Sequence, residues 1–231
     1  MGPQSRSIIV AIDGPSGVGK TTTSKLVARA LNLPHIDTGA MYRAIGLAAL
    51  RAGIDTHDEE KLTELASRVR IDFVPGEHAR TLLDGEDVTP LIRTPEVSMA
   101  ASDVSTVPGV RRVLVRLQQD LGRRSGGVLE GRDIGTKVFP ETPHKFFLTA
   151  RPEVRAQRRF HELQQKGTPV TMEQVLAETG QRDQQDSTRA DSPLSYDETY
   201  TVVDTSDLTI DEVVLRIVGN VLSQPGETAL S

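Results

Sequence analysis

The sequence predicts a three-layer α/β/α fold in which a five-stranded parallel sheet lies between helices and carries a small antiparallel insertion and a helical lid. Three observations lead there. Short β-branched apolar runs alternate with runs of helical period along most of the chain. A glycine-rich turn joins the first such strand to the first such helix, and one stretch, Ile71 to Ile92, breaks the alternation with hairpin signals.

The first elements are simple to place. Ser7 to Asp13 is an apolar run of strand length, and Lys25 to Leu31 carries Leu26, Val27, Ala30 and Leu31 at helical spacing. Leu33 to Asp37 reads as a second strand, Met41 to Ala52 as a helix stopped by Gly53, and Glu59 to Val69 as another helix. Then the period changes. Ile71–Val74, Arg80–Leu83 and Glu86–Val88 are short strands separated by Pro75-Gly76 and Asp84-Gly85, the second a strong hairpin signal. The expected division is therefore a core of residues 1–70 and 93–231 with a β insertion at 71–92.

Thr94-Pro95 opens a helix with a threonine cap and proline in the first turn, and Pro108 onward carries Val110, Val113, Leu114, Leu117 and Leu121 in one stripe. Val128–Gly131, Lys145–Ala150 and Tyr200–Asp204 are the remaining core strands. Between the last two lie an arginine-dense helix, Pro152 to Gln165, and a second helix opened by the capping box Thr171-Met172-Glu173-Gln174. Thr209 to Glu212 is a further capping box, opening a C-terminal helix. A parallel sheet of this kind binds ligands at the carboxyl ends of its strands.

Composition excludes several functions. The chain has 231 residues and no cysteine, which rules out disulfides, thiolate nucleophiles and cysteine zinc sites. Its five histidines are scattered without ligand spacing. A net charge of −5 argues against nucleic acid as a bulk partner, so any bound anion must be held by local arginines. No apolar run is long enough for a membrane span, and Met1 to Arg6 lacks an apolar signal core. A cytoplasmic protein is expected, and a monomer, since no long apolar stripe is left after assigning the core.

The chemistry is concentrated in Gly14-Pro15-Ser16-Gly17-Val18-Gly19-Lys20-Thr21, a complete match to the P-loop pattern between a strand and a helix. Glycines allow successive N–H groups to turn inward, and the helix N-terminus adds positive potential toward phosphate. The stretch from Gly14 through Thr22 is expected to cradle the phosphates of a nucleoside triphosphate, with Lys20 on the β- and γ-phosphates and the Thr21 hydroxyl on Mg²⁺. A guanine-reading Asn-Lys-x-Asp is absent, which disfavours a GTPase switch. Transfer to a small acceptor instead needs converging arginines and a lid that excludes water. Arg151, Arg155, Arg158 and Arg159 cluster on one helix, with Gly167-Thr168-Pro169 after it and Arg182 and Arg189 beyond; the lid is expected at about 151–170.

Over almost its full length the chain resembles bacterial cytidylate kinases (CMP kinases). The resemblance is carried by Ile12 to Gly17, Asp37-Thr38-Gly39-Ala40-Met41-Tyr42-Arg43, Gly85 to Val88, Ile92 to Val97, Glu130-Gly131-Arg132-Asp133-Ile134-Gly135-Thr136 through Pro140, and Arg182-Asp183. It implies transfer of the γ-phosphoryl group of ATP, with Mg²⁺, to CMP or dCMP. It further implies Arg43 and Arg132 on the acceptor phosphate with Thr38 beside them, and Tyr42 packing against the nucleoside. Ser102, Arg111 and Asp133 match cytosine readers, Arg182 and Asp186 ribose-side residues, and Arg189 a phosphate contact. Lys20, Arg132 and Arg189 are then the catalytic charges, and Arg155, Arg158 and Arg159 belong to the lid. Other small-acceptor kinases, for UMP or a non-nucleotide alcohol, and a slow nucleotide switch are the alternative readings. Two departures stand out: Thr38 where relatives often carry serine, and Gln185 and Ser187 where they are often basic.

Overall fold

A computed structural model describes residues 8–74, 79–165, 167–189 and 191–223. The N-terminal residues read for a signal core, the Pro75-Gly76 turn and Lys166 lie outside them. The central strand is β1 (Ile9–Asp13), succeeded by α1 (Lys20–Ala30), β2 (His35–Asp37), α2 (Thr38–Arg51) and α3 (Glu59–Arg68). A three-stranded antiparallel sheet comes next, β3 (Ile71–Val74), β4 (Arg80–Leu83) and β5 (Glu86–Asp87), and then a 3₁₀ turn, Leu91–Arg93. The core resumes with α4 (Pro95–Val104), α5 (Pro108–Ser125) and β6 (Gly127–Gly131), a π-helical turn at Ile134–Val138, and β7 (His144–Thr149). It closes with α6 (Pro152–Gln165), α7 (Met172–Thr188), β8 (Thr201–Asp204) and α8 (Ile210–Ser223).

The large sheet runs β2-β6-β1-β7-β8, all parallel, so the P-loop strand sits in the middle and the strand order switches direction on either side of it. Alternation along β1 divides the core into two. Val10 and Ile12 are buried with α1 and α8 on one face, and Ala11 with α2 and α5 on the other. Because all five strands point the same way, Asp13, Asp37, Gly131, Thr149 and Asp204 end on one rim, and the segments leaving those ends lie around a shared crevice.

The insertion forms as its turn chemistry predicts. Asp84 and Gly85 both have positive φ, 51° and 89°, and join Leu83 to Glu86 in a tight hairpin. Its apolar face is not a separate core: Ile71, Leu83, Val88 and Ile92 are buried with α2, α3 and α5. The helical pair α6 and α7, by contrast, has a small apolar cluster of its own, Ala156, Leu163 and Val175. The π-helical turn was not foreseen from the sequence. Among the described residues no helix is long and apolar enough to cross a membrane.

Candidate active site

The phosphate loop is shaped by two glycines that nothing else could replace. Gly14 leaves β1 at φ 146°, where a Cβ would lie 2.2 Å from the Leu148 carbonyl oxygen of β7. At Gly17, with φ 80°, a Cβ would lie 2.9 Å from the Arg155 carbonyl oxygen. Lys20 folds back over the loop, its Nζ donating to the carbonyls of Gly14 (2.7 Å) and Pro15 (2.5 Å). Burial, and then the nearby Arg132, pull the Lys20 ammonium down to about 7. From the other side the Thr205 hydroxyl donates to the Val18 carbonyl at 3.1 Å. Ser16 through Thr22 line a cavity of about 730 Å³, while Gly14 and Pro15 lie behind it with their carbonyls taken by Lys20.

Across that cavity stand Thr38, Tyr42, Arg43, Ser102, Arg111, Arg132, Asp133, Arg182, Asp186 and Arg189, so every acceptor-side residue expected from the sequence is brought to one place. Nearly every cation there is already held by an anion of the chain. Arg43 and Arg93 share Asp37, Arg132 donates through Nε to Asp186 at 2.7 Å, and Arg111 pairs closely with Asp133. Arg189 reaches Asp133 at 3.8 Å and Asp186 at 3.7 Å. Burial works to raise the Asp186 carboxyl, but Arg132 and Arg189 outweigh it and hold the group below the usual range. Arg111 is only 1% exposed and lies 5.9 Å over the Tyr42 ring, whose hydroxyl burial pushes up to about 12. Ser102 donates to the Gln185 amide oxygen at 2.6 Å, Thr38 to the Glu130 carbonyl at 2.7 Å, and Arg182 to the Ser98 carbonyl at 2.8 Å.

The three arginines expected in a lid separate. Arg158 and Arg159 line the cavity, the first donating to Thr205, the second paired with Glu162 at 3.0 Å. Arg155 does not line it. It is buried beneath the loop, donating to the Ala150 and Ser16 carbonyls and pairing with Asp183 at 2.7 Å, because its position on the first turn of α6 faces the loop backbone. Its place is that of a brace.

Sequence reasoning missed the residue that joins the two halves. Asp13, fully buried at the end of β1, accepts from the N–H groups of Ile134 and Gly135, both at 2.9 Å, and from the Tyr200 hydroxyl at 2.8 Å. It thereby fixes the π-helical turn that comes after Arg132 and Asp133. Burial, above all, pushes its carboxyl up to about 6. A charged residue ending an apolar parallel strand was the available signal; Asp37 on β2 and Glu130 on β6 carry the same one.

A phosphate loop at the switch point of a parallel sheet, facing converging arginines across one cavity, defines a P-loop phosphotransferase with a small acceptor. The sequence narrows the class: a profile of the cytidylate kinase family matches residues 10–223, and the chain belongs to that family. A cytidylate kinase of Caldicellulosiruptor bescii is 50% identical over 92% of this chain and 94% of its own length. One of Desulforamulus reducens is 50% identical over 90% of this chain and 94% of its own. Among solved structures, an uncharacterized protein from Eubacterium ventriosum aligns with a TM-score of 0.51 at 12% identity, covering 94% of this chain and 99% of that one, a likeness of fold alone.

Proposed function

We propose that the protein transfers the γ-phosphoryl group of ATP to CMP or dCMP, giving ADP and CDP or dCDP. The observation that carries this reading is that one cavity holds the phosphate loop on one wall and, on the other, an arginine ring beside a buried Arg111–Asp133 pair and Ser102. Cytosine offers an exocyclic amine and an acceptor at N3, uracil a carbonyl and a donor. Asp133 and Ser102 can accept from the amine and Arg111 can donate to N3.

In the reaction an oxygen of the acceptor phosphate forms a bond to Pγ as the bond from Pγ to the β-bridging oxygen breaks, and the electron pair leaves with ADP. Lys20 exchanges its two loop carbonyls for the β- and γ-phosphate oxygens, whose charge holds its amine in the protonated, ammonium form. Arg132 and Arg189, already cationic and desolvated, face the transferring group from the acceptor side and need little reorganisation. Arg158 and Arg159, on the helical pair with its separate core, cover the phosphates and exclude water.

The residues present suit a magnesium ion arriving with the nucleotide. The Thr21 hydroxyl opens onto the cavity at the start of α1, and the buried Glu130 carboxylate, which also lines it, has His35 Nε2 at 3.3 Å but accepts no hydrogen bond from the described residues. Thr21 would hold the ion, which neutralises charge on the β- and γ-phosphates when bound.

The test is ADP production measured with CMP, dCMP, UMP, AMP, shikimate and no acceptor. CMP is expected to exceed UMP in kcat/KM by about 10² or more, as mismatched hydrogen-bonding sites do. Equal use of the two would refute the cytosine reading, and one slow rate with every acceptor would point to a nucleotide switch.

A further inference from the structure

We infer that Arg93, presented by the 3₁₀ turn that follows the inserted β sheet, is a third arginine on the acceptor's phosphate, and that Asp37 keeps its place until the phosphate arrives. The inference rests on the acceptor reading above and gives the insertion a part in it.

Arg93 ends the 3₁₀ turn that leads out of β5 back to the core. The turn is pinned on both sides. Before Arg93, Val88 and Ile92 are buried at 0% and 1% exposure, and the N–H groups of Leu91 and Ile92 both bond the Val88 carbonyl. After it, the Thr94 hydroxyl caps α4 by accepting from the Val97 N–H. An exposed bidentate pair, Arg51 to Glu86, ties the same edge of the insertion to α2. The backbone is therefore fixed while the Arg93 side chain remains 43% exposed and lines the cavity.

Its partner is over-subscribed. Arg43 lies 2.8 Å and Arg93 3.2 Å from the same Oδ2 of Asp37, while Oδ1 is committed to the Ala40 N–H as the cap of α2. One carboxylate oxygen thus faces two guanidinium groups. Burial opposes the charge on Asp37, but Arg43, then Arg93, hold the carboxyl below its usual range. The Nε of Arg43 is buried without a partner among the described residues, leaving a further donor for an incoming anion.

A phosphate monoester answers each of these features. It brings up to two negative charges and three terminal oxygens, enough for both guanidiniums at once, which a single carboxylate oxygen is not. Neither arginine must travel, because Asp37 has already set them side by side. A ligand without a phosphate gains nothing from Arg93.

The experiment compares Arg93→Gln and Arg93→Lys with wild type, and uses Arg80→Gln, on the exposed face of the insertion, as a control for charge. KM is measured for CMP at saturating ATP and for ATP at saturating CMP, together with the inhibition constant of cytidine, which has the base and ribose but no phosphate. Arg93→Gln is expected to raise KM for CMP about tenfold or more, the size of one lost charge-assisted hydrogen bond. Arg93→Lys should fall between Gln and wild type, because it keeps the charge and loses the fork. ATP and cytidine constants should stay within about twofold, and Arg80→Gln should match wild type. An unchanged KM for CMP in both Arg93 variants overturns the inference. So does a parallel rise for ATP, which would place Arg93 on the donor side, or for cytidine, which would mean a disturbed nucleoside pocket. Failure of the acceptor reading itself shows earlier and separately, as wild-type protein that spends ATP equally with and without CMP.

Discussion

The two walls of the cavity are built by different means. The donor wall is a run of consecutive residues, Ser16 to Thr22, with one cation, Lys20, held on the carbonyls of Gly14 and Pro15. The acceptor wall is assembled from side chains on α2, the 3₁₀ turn, α4, α5, the end of β6 and α7, among which Arg43, Arg93, Arg111, Arg132 and Arg189 are held in salt bridges. Backbone dipoles need no counter-ion and do not drift, so a loop is enough. Buried guanidiniums do need one, since an unpaired charge of that kind costs several kcal/mol. The arginines of the proposed acceptor site are therefore neutralised by Asp37, Asp133 and Asp186, and on the proposed reading an incoming phosphate would replace Asp37 as a partner rather than gather charges from afar.

The sharpest way to break the donor side is Lys20→Ala. Removing the one charge that moves onto the β- and γ-phosphates is expected to lower kcat by about 10² or more, comparable with loss of a single preorganised electrostatic donor. Near-normal kcat in that variant would show that the backbone alone suffices.

The junction between the walls is exposed to a smaller change. A Cβ on Gly135 would lie 2.5 Å from the Tyr200 hydroxyl oxygen and 3.0 Å from the Lys145 side chain, so Gly135→Ala must push Tyr200 off Asp13. A loss of about 1–3 kcal/mol in stability is expected, as in other overpacked sites, read from urea unfolding. A stability within about 0.5 kcal/mol of wild type would mean that the π-helical turn is held by something other than Asp13 and Tyr200.

The smallest effect concerns protons and separates the walls most cleanly. Burial and Arg132 bring the Lys20 ammonium down to about 7, so near pH 8 it is expected to be largely neutral when no phosphate faces it. A bound triphosphate raises that value, so the bound state holds more protons, and ATP affinity falls as pH rises above about 7. ATP binding should take up somewhat under one proton near pH 8 and almost none near pH 6, measured by calorimetry in buffers of different ionisation heat. Lys20→Ala should abolish the uptake. CMP binding should show far less of it at pH 8, because the acceptor arginines stay charged throughout. Equal uptake with both nucleotides would erase the distinction between the two walls.

What the sequence by itself determined was everything encoded in neighbouring residues. The phosphate loop was legible because positive φ at Gly14 and Gly17 and a helix after the loop are local requirements, met by residue types in a fixed order, although the helix begins at Lys20, five residues before the apolar spacing that signalled it. The Thr94 and Thr171 caps and the Asp84-Gly85 hairpin were legible for the same reason. The acceptor residues could be named through family resemblance, but no local rule gives their partners. Arg132 meets Asp186 across 54 residues, and Asp13 meets Tyr200 across 187. Arg155 and Arg158 share one helix, a single turn apart, yet one braces the loop from beneath and the other opens onto the cavity. Only the tertiary structure decided those matters. A parallel sheet brings all its strand ends to one rim, and which carboxylate neutralises which arginine there depends on strand order and helix placement, which consecutive residues do not specify.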